Sequence, residues 1–197
     1  MAKDTDLITI SKVKYPALRQ TVQAGDLLFY SGEDEVSRLI RRATQSLWSH
    51  IGIIFKIENL DRILLLESVE SMGVRLIPVS RYIKNVENEE NDGKYDARLV
   101  IARHQALKPE QVKPFINFGI DQISRPYDLA EIKRIIERIQ KGKGKIIRDE
   151  AYMCSELVYE CFAKVGIEIP YNELGFISPQ DIWIEENIQV IAEIDHL

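Results

Sequence analysis

Up to position 104 the apolar residues of this chain come mostly in short runs of strand formers, and beyond position 109 they recur at helical spacing. Strands first and helices after make an α+β fold rather than alternating β–α units. QAGDLLFY (23 to 30) is a turn followed by an apolar run and reads as the first strand. HIGIIFKI (50 to 57) and RILLLES (62 to 68), parted by the polar ENLD, read as a hairpin. GVRLIPVS adds a short strand ending at Pro78, RLVIARH (98 to 104) another, and IQVIAEI a last one that would close the sheet. The expected product is a small antiparallel β-barrel or sheet packed against a helical part.

Helical spacing appears first in Val36, Leu39, Ile40, Ala43 and Leu47, with Arg38, Arg41 and Arg42 on a solvated side. After Pro109 it returns in Val112, Phe115, Ile116, Gly119, Ile120 and Ile123, where Pro114 is an awkward guest. LAEIKRIIERIQ follows SRPYD, and a further helix begins near Cys154. SPQDIW has Ser178 as N-cap, Pro179 at the first helical position and Asp181 as capping-box partner. The acidic VENEENDGKYD (86 to 96) and the basic KGKGK read as surface loops.

With 197 residues, 45 % of them hydrophobic, the chain can bury one substantial core, so 1–197 is expected to be a single domain. A net charge of -5 supplies no field that would draw nucleic acid or an anionic membrane, so neither is expected as a partner. MAKDTDLITI has no long apolar run, and no segment is long and apolar enough for a membrane helix. A cytoplasmic chain is the expectation, with a trimmed leader left open.

The chemistry must be sought among few residues. Cys154 and Cys161 are the only cysteines, with no CxxC and no Cys/His cluster, so neither a disulfide framework nor a structural zinc site is indicated. Leu157, Val158, Cys161, Phe162 and Val165 share one helix face, which makes Cys161 a small core residue. Cys154 stands in the first turn, where unpaired N–H groups and the helix dipole stabilise a thiolate; its plain reading is a second core thiol, its functional one a nucleophile. A nucleophile needs a base and a group to orient that base. Of the three histidines, His196 lies at the C-terminus and His104 ends a strand before a turn, where exposure is expected. His50 opens a strand in LWSHIGIIF, between a helix and the sheet core. Glu67 ends the apolar run ILLL one hairpin on, where a carboxylate needs a partner or water; Glu70 and Asp61 compete for the orienting role.

GDLLFY, SHIGIIF, LLLESVESMGV, SRPYD and YMCSELVYECF, in that order, resemble the circularly permuted branch of the NlpC-type papain-like cysteine hydrolases. This YiiX/YaeF-like group is related more distantly to the lecithin:retinol acyltransferases, and the resemblance covers residues 23–185. Ordinary members place the cysteine helix before the histidine strand, whereas here His50 precedes Cys154. The resemblance implies a permuted papain-like fold with Cys154 as nucleophile, His50 as general base, Glu67 as orienting residue and Tyr127 of RPYD beside the pocket. It implies acyl transfer through a thioester, with no metal or other cofactor. The implied substrate is a peptide or amide of cell-wall type; a lipid ester, through hydrolysis or acyl transfer, and a non-catalytic ligand-binding domain are the alternatives. Charged groups near the thiol would favour the peptide, and a long apolar groove the lipid.

Overall fold

The computed structural model describes residues 6–33, 35–83, 97–141 and 152–195. Its strands are β1 (Lys12–Lys14), β2 (Leu27–Ser31), β3 (His50–Ile57), β4 (Arg62–Val69), β5 (Gly73–Pro78), β6 (Arg98–His104) and β7 (Ile188–Asp195). They form one sheet in the order β1-β7-β6-β2-β3-β4-β5. Every pairing is antiparallel except that of β1 with β7. The polar ENLD stretch makes the β3–β4 hairpin, as expected, through a short helical turn that ends on Asp61 at φ 49°.

Two expectations are corrected. Leu27–Ser31 is not the first strand, because the three residues of β1 precede it and are too few to show any alternation. Nor does β7 close a barrel: the sheet is open and mixed, with β1 and β5 at its edges. Both edges are guarded. β1 is very short and carries exposed Lys12 and Lys14, and β5 pairs with an irregular strap through Val74 N–H to Arg125 O (2.9 Å) and Ser124 N–H to Val74 O (2.9 Å).

The helices are α1 (Asp6–Thr9), α2 (Tyr15–Thr21), α3 (Glu35–Thr44), α4 (Pro109–Ile120), α5 (Leu129–Lys141), α6 (Cys154–Lys164) and α7 (Pro179–Trp183). Alternate residues of each strand serve opposite cores. Leu27, Phe29, Ile51, Ile53 and Leu66 pack with Phe115 of α4 and with Leu157, Val158, Cys161 and Phe162 of α6. Leu28, Ile54, Ile63, Leu65 and Ile101 pack on the other face with Leu18 of α2 and with Val79 and Tyr82. Burial on both faces explains why β4 reads as an unbroken apolar run rather than an alternation. α4, α6 and β4 approach closely at Gly119, where a Cβ would stand 2.5 Å from Leu66 and 3.0 Å from Cys161. Pro114 is tolerated in α4 because it and Glu110, whose carbonyl it leaves without a helical donor, are both exposed.

Two single-residue expectations also change. His104 is not exposed: it is 1 % accessible, stacks on Phe162 with centroids 4.7 Å apart, and neither ring nitrogen has a hydrogen-bond partner. Phe162 of α6 covers the His104 ring. Arg38 and Arg42 are solvated as expected, whereas Arg41 turns inward to donate to Ser31 Oγ (3.1 Å) and Glu33 Oε1 (2.9 Å). The acidic stretch 86–96, the part of KGKGK beyond Lys141 and His196 lie outside the described residues.

Candidate active site

Cys154 is the first residue of α6. The chain before it is extended and tied down, with Tyr152 N–H on Pro126 O (3.1 Å) and Ser68 Oγ donating to Tyr152 O (2.6 Å). The helix starts one residue later because Met153, extended at ψ 161°, donates its N–H to Glu156 Oε2 at 2.9 Å. The thiol is 4 % accessible and sits among the first-turn N–H groups that have no intrahelical acceptor. Cys161, two turns on, is fully buried, and burial pushes its thiol well above the ordinary value.

His50 opens β3 after a tightly held loop. Trp48 is fully buried against Phe29 and Trp183, with centroids 5.4 Å and 4.8 Å away. Gln180 Oε1 accepts the Leu47 N–H at 3.3 Å. The loop therefore delivers His50 in one place, opposite Tyr30 of β2. His50 Nε2 meets Glu67 Oε2 at 2.7 Å. Cys154 stands close enough to the same ring to act on it electrostatically. Burial opposes a charge on the ring, but Cys154 and Glu67 outweigh it and raise His50 from 6.5 to about 10.

Glu67 has no accessible surface, and its cost of burial is met by three donors. Besides His50, Tyr82 Oη donates to Oε2 at 2.5 Å and Arg75 Nε to Oε1 at 2.8 Å. Burial raises the carboxyl, but His50, Tyr82 and Arg75 together carry it below its ordinary value. Of the competing acids, Asp61 pairs with Arg19 at 3.4 Å and Glu70 is exposed in the β4–β5 turn. Arg75 and Tyr82 were not singled out from sequence. Arg75 had a signal, since the β4–β5 register sets it directly opposite Glu67. Tyr82, in the turn after β5, had none.

Tyr127 belongs to the strap that covers the edge of β5. Gly73, at φ +69°, lets the strap lie close, for a Cβ there would fall 2.0 Å from Arg125 O. The strap carries Tyr127 into a small pocket of about 30 Å³ that Cys154 also lines. Burial, reinforced by Cys154 and Glu70, pushes the Tyr127 hydroxyl above its ordinary range, which keeps it protonated.

No curated protein sequence matches the chain. Among solved structures it resembles metalloprotein yiiX from Escherichia coli O157:H7, with a TM-score of 0.64 and 18 % identity over 88 % of this chain and 98 % of that one. At that identity the likeness speaks for the fold alone. That protein is described as a metalloprotein; here, among the described residues, no group of three His, Cys, Asp or Glu side chains could hold a metal ion. The family model for the permuted papain-like amidase enzyme, YaeF/YiiX, C92 family, matches residues 21–177. Most of the chain thus follows one family pattern, and the protein belongs to the permuted papain-like amidases of the YaeF/YiiX group.

Proposed function

We propose that the protein is a thiol amidase that works through a thioester, with Cys154 as nucleophile, His50 as proton carrier and Glu67 as the residue that orients His50. The observation that carries this reading is His50 held by Glu67 at 2.7 Å, with Cys154 close enough to act on the same ring. His50, raised to about 10, carries the proton that the leaving amine needs, and Cys154 attacks as the thiolate beside it. Cys154 Sγ adds to the amide carbonyl, His50 gives its proton to the leaving amine, and the C–N bond breaks. Water then attacks the thioester, its proton passes to His50, and the C–S bond breaks to release the acid. The Cys154 N–H and the protonated Tyr127 hydroxyl are the donors available to the carbonyl oxygen as it becomes an oxyanion. Membership of an amidase family supports nitrogen as the leaving atom.

The test is the rate of iodoacetamide alkylation of Cys154 against pH, followed by peptide mass spectrometry, in the wild type and in His50→Ala. Cys161, fully buried, is the internal control. Cys154 is expected to react fast near neutrality, and in His50→Ala to need a higher pH. Cys154→Ala is expected to fold and to turn nothing over. An inert Cys154, or one indifferent to His50, would leave a ligand-binding domain on the same fold.

A further inference from the structure

The carboxylate of Glu67 is buried among groups of which only one is permanently positive. His50 Nε2 and Tyr82 Oη meet its Oε2 at 2.7 Å and 2.5 Å. Arg75 places Nε and a terminal guanidinium nitrogen on Oε1, both at 2.8 Å. Tyr82 is neutral, and burial with Glu67 beside it pushes its hydroxyl well above the ordinary range. Tyr30 packs edge-on to both His50 and Tyr82, with centroids 6.3 Å and 5.7 Å away. Glu67 has no accessible surface, and the cations that meet its oxygens are His50 and Arg75.

Half of a thioester cycle removes one of them. His50 gives its proton to the leaving amine, and acylation takes away the negative charge of Cys154, which is foremost among the influences that outweigh burial and hold that proton. While the thioester waits for water, His50 is neutral and Arg75 is the remaining counter-charge of Glu67. Burial pushes a carboxylate without accessible surface towards its protonated form. That form would spoil the base. An ionised Glu67 keeps the ring proton on Nε2 and leaves the other nitrogen free. A protonated Glu67 donates to Nε2 and moves the ring proton to the nitrogen that must accept from water.

We infer that Arg75 is a positioning residue for release of the acyl group: its fixed charge on Oε1 keeps Glu67 an anion while His50 is neutral, and so keeps His50 in the tautomer that takes a proton from water. This rests on the thioester reading and separates the two halves of its cycle. Attack and loss of the amine need Arg75 less, because His50 is then itself a cation beside Glu67. No bond to Arg75 forms or breaks. Water adds to the thioester carbonyl, its proton passes to His50, and the C–S bond breaks to give the acid and the Cys154 thiolate. The competing account is a purely structural Arg75, since it stands directly opposite Glu67 on the neighbouring strand, where opposite charges commonly pair.

The experiment uses p-nitrophenyl acetate, whose acetyl group forms the thioester and whose leaving group is coloured, on wild type, Arg75→Gln and Arg75→Lys. Arg75→Gln keeps a hydrogen-bond donor and loses the charge, whereas Arg75→Lys keeps a charge that a point cation can deliver to a single oxygen. The expected result is a burst of similar rate in all three, and a steady-state rate about tenfold lower in Arg75→Gln only, the factor that one pK unit on Glu67 carries. Acetyl-Cys154, followed by peptide mass spectrometry, is expected to accumulate in Arg75→Gln. Arg75→Ala is the second variant, should Arg75→Gln not fold. The side chain is 28 % accessible, so guanidinium ion added well below denaturing concentrations can enter the gap and is expected to restore the steady-state rate. Burst and steady state falling by the same factor, or Arg75→Lys as slow as Arg75→Gln, overturns the inference and leaves the thioester standing. A wild type that forms no acetyl-Cys154 defeats the thioester reading and this inference with it. The state of Glu67 is read directly in Cys154→Ala, which like the acyl-enzyme has no negative charge at 154. The carboxyl carbon resonance of Glu67 is expected to titrate about one pH unit higher once Arg75→Gln is added, and equal titrations overturn the inference.

Discussion

Glu67 is held by groups of two kinds, a ring that it orients and two donors that hold it, and these separate on mutation. Glu67→Gln preserves the shape but removes the charge that helps keep His50 protonated. The imidazole resonance of His50, followed by NMR, is expected to titrate near 10 in the wild type and clearly lower in Glu67→Gln, with kcat down by about a hundredfold. His50 and His104 also pull stability in opposite directions with pH. His50 is raised in the folded state, so its contribution is complete below its unfolded value of 6.5 and fades as pH climbs through about 10. His104 is lowered by burial, with Glu185 opposing weakly, so its neutral form contributes above 6.5 and the contribution fades as pH falls. Thermal midpoints of wild type and His104→Phe, measured from pH 7 to pH 4, are expected to show the steeper acid decline in the wild type. Parallel curves would mean that protonated His104 finds a partner.

Between elements, the telling contact is that of β5 with the strap at Ser124–Arg125. Gly73 permits it twice, by its left-handed φ of +69° and by its missing Cβ. Gly73→Ala is therefore expected to cost about 1–3 kcal/mol in urea denaturation. It should also lower turnover beyond what stability explains, because the displaced strap takes Tyr127 with it; unchanged kinetics would show that Tyr127 is positioned from elsewhere. The elements themselves were largely legible in the sequence. β3, β4, β5, β6 and the helix from Cys154 stand where alternation and helical spacing put them, and α7 has the cap read from Ser178, Pro179 and Asp181. α2 and β1 were not legible, because seven residues and three residues carry too little periodicity to register.

Over the whole molecule, stability rests on a sheet whose middle strand, β2, pairs with β3 on one side and β6 on the other. Asp26, at the start of β2 and 1 % accessible, receives Arg103 of β6 on both oxygens, at 2.6 Å and 2.9 Å. Asp26→Ala leaves the partly buried Arg103 without its carboxylate and is expected to cost about 3 kcal/mol. The readout is a lower urea midpoint at an unchanged slope, and a changed slope would mean that the sheet itself had rearranged. The permuted chain order has no cost at this scale. α6 packs across β3 and β4 whichever of them comes first in the chain, so His50 and Glu67 meet a cysteine that follows them.

The sequence by itself determined the elements and the identity of Cys154, His50, Glu67 and Tyr127 as candidates, because periodicity, capping and motif order are local properties of a chain. Only the tertiary structure decided that the sheet stays open, that Arg75 and Tyr82 surround Glu67, that His104 is buried, and that the pocket at the thiol is apolar. Each of these is a property of surfaces brought together from distant segments. The pocket alone draws on α3, Tyr127, α5, α6 and the segment from Phe176 to Pro179, and no one stretch of sequence records what the others bring to it.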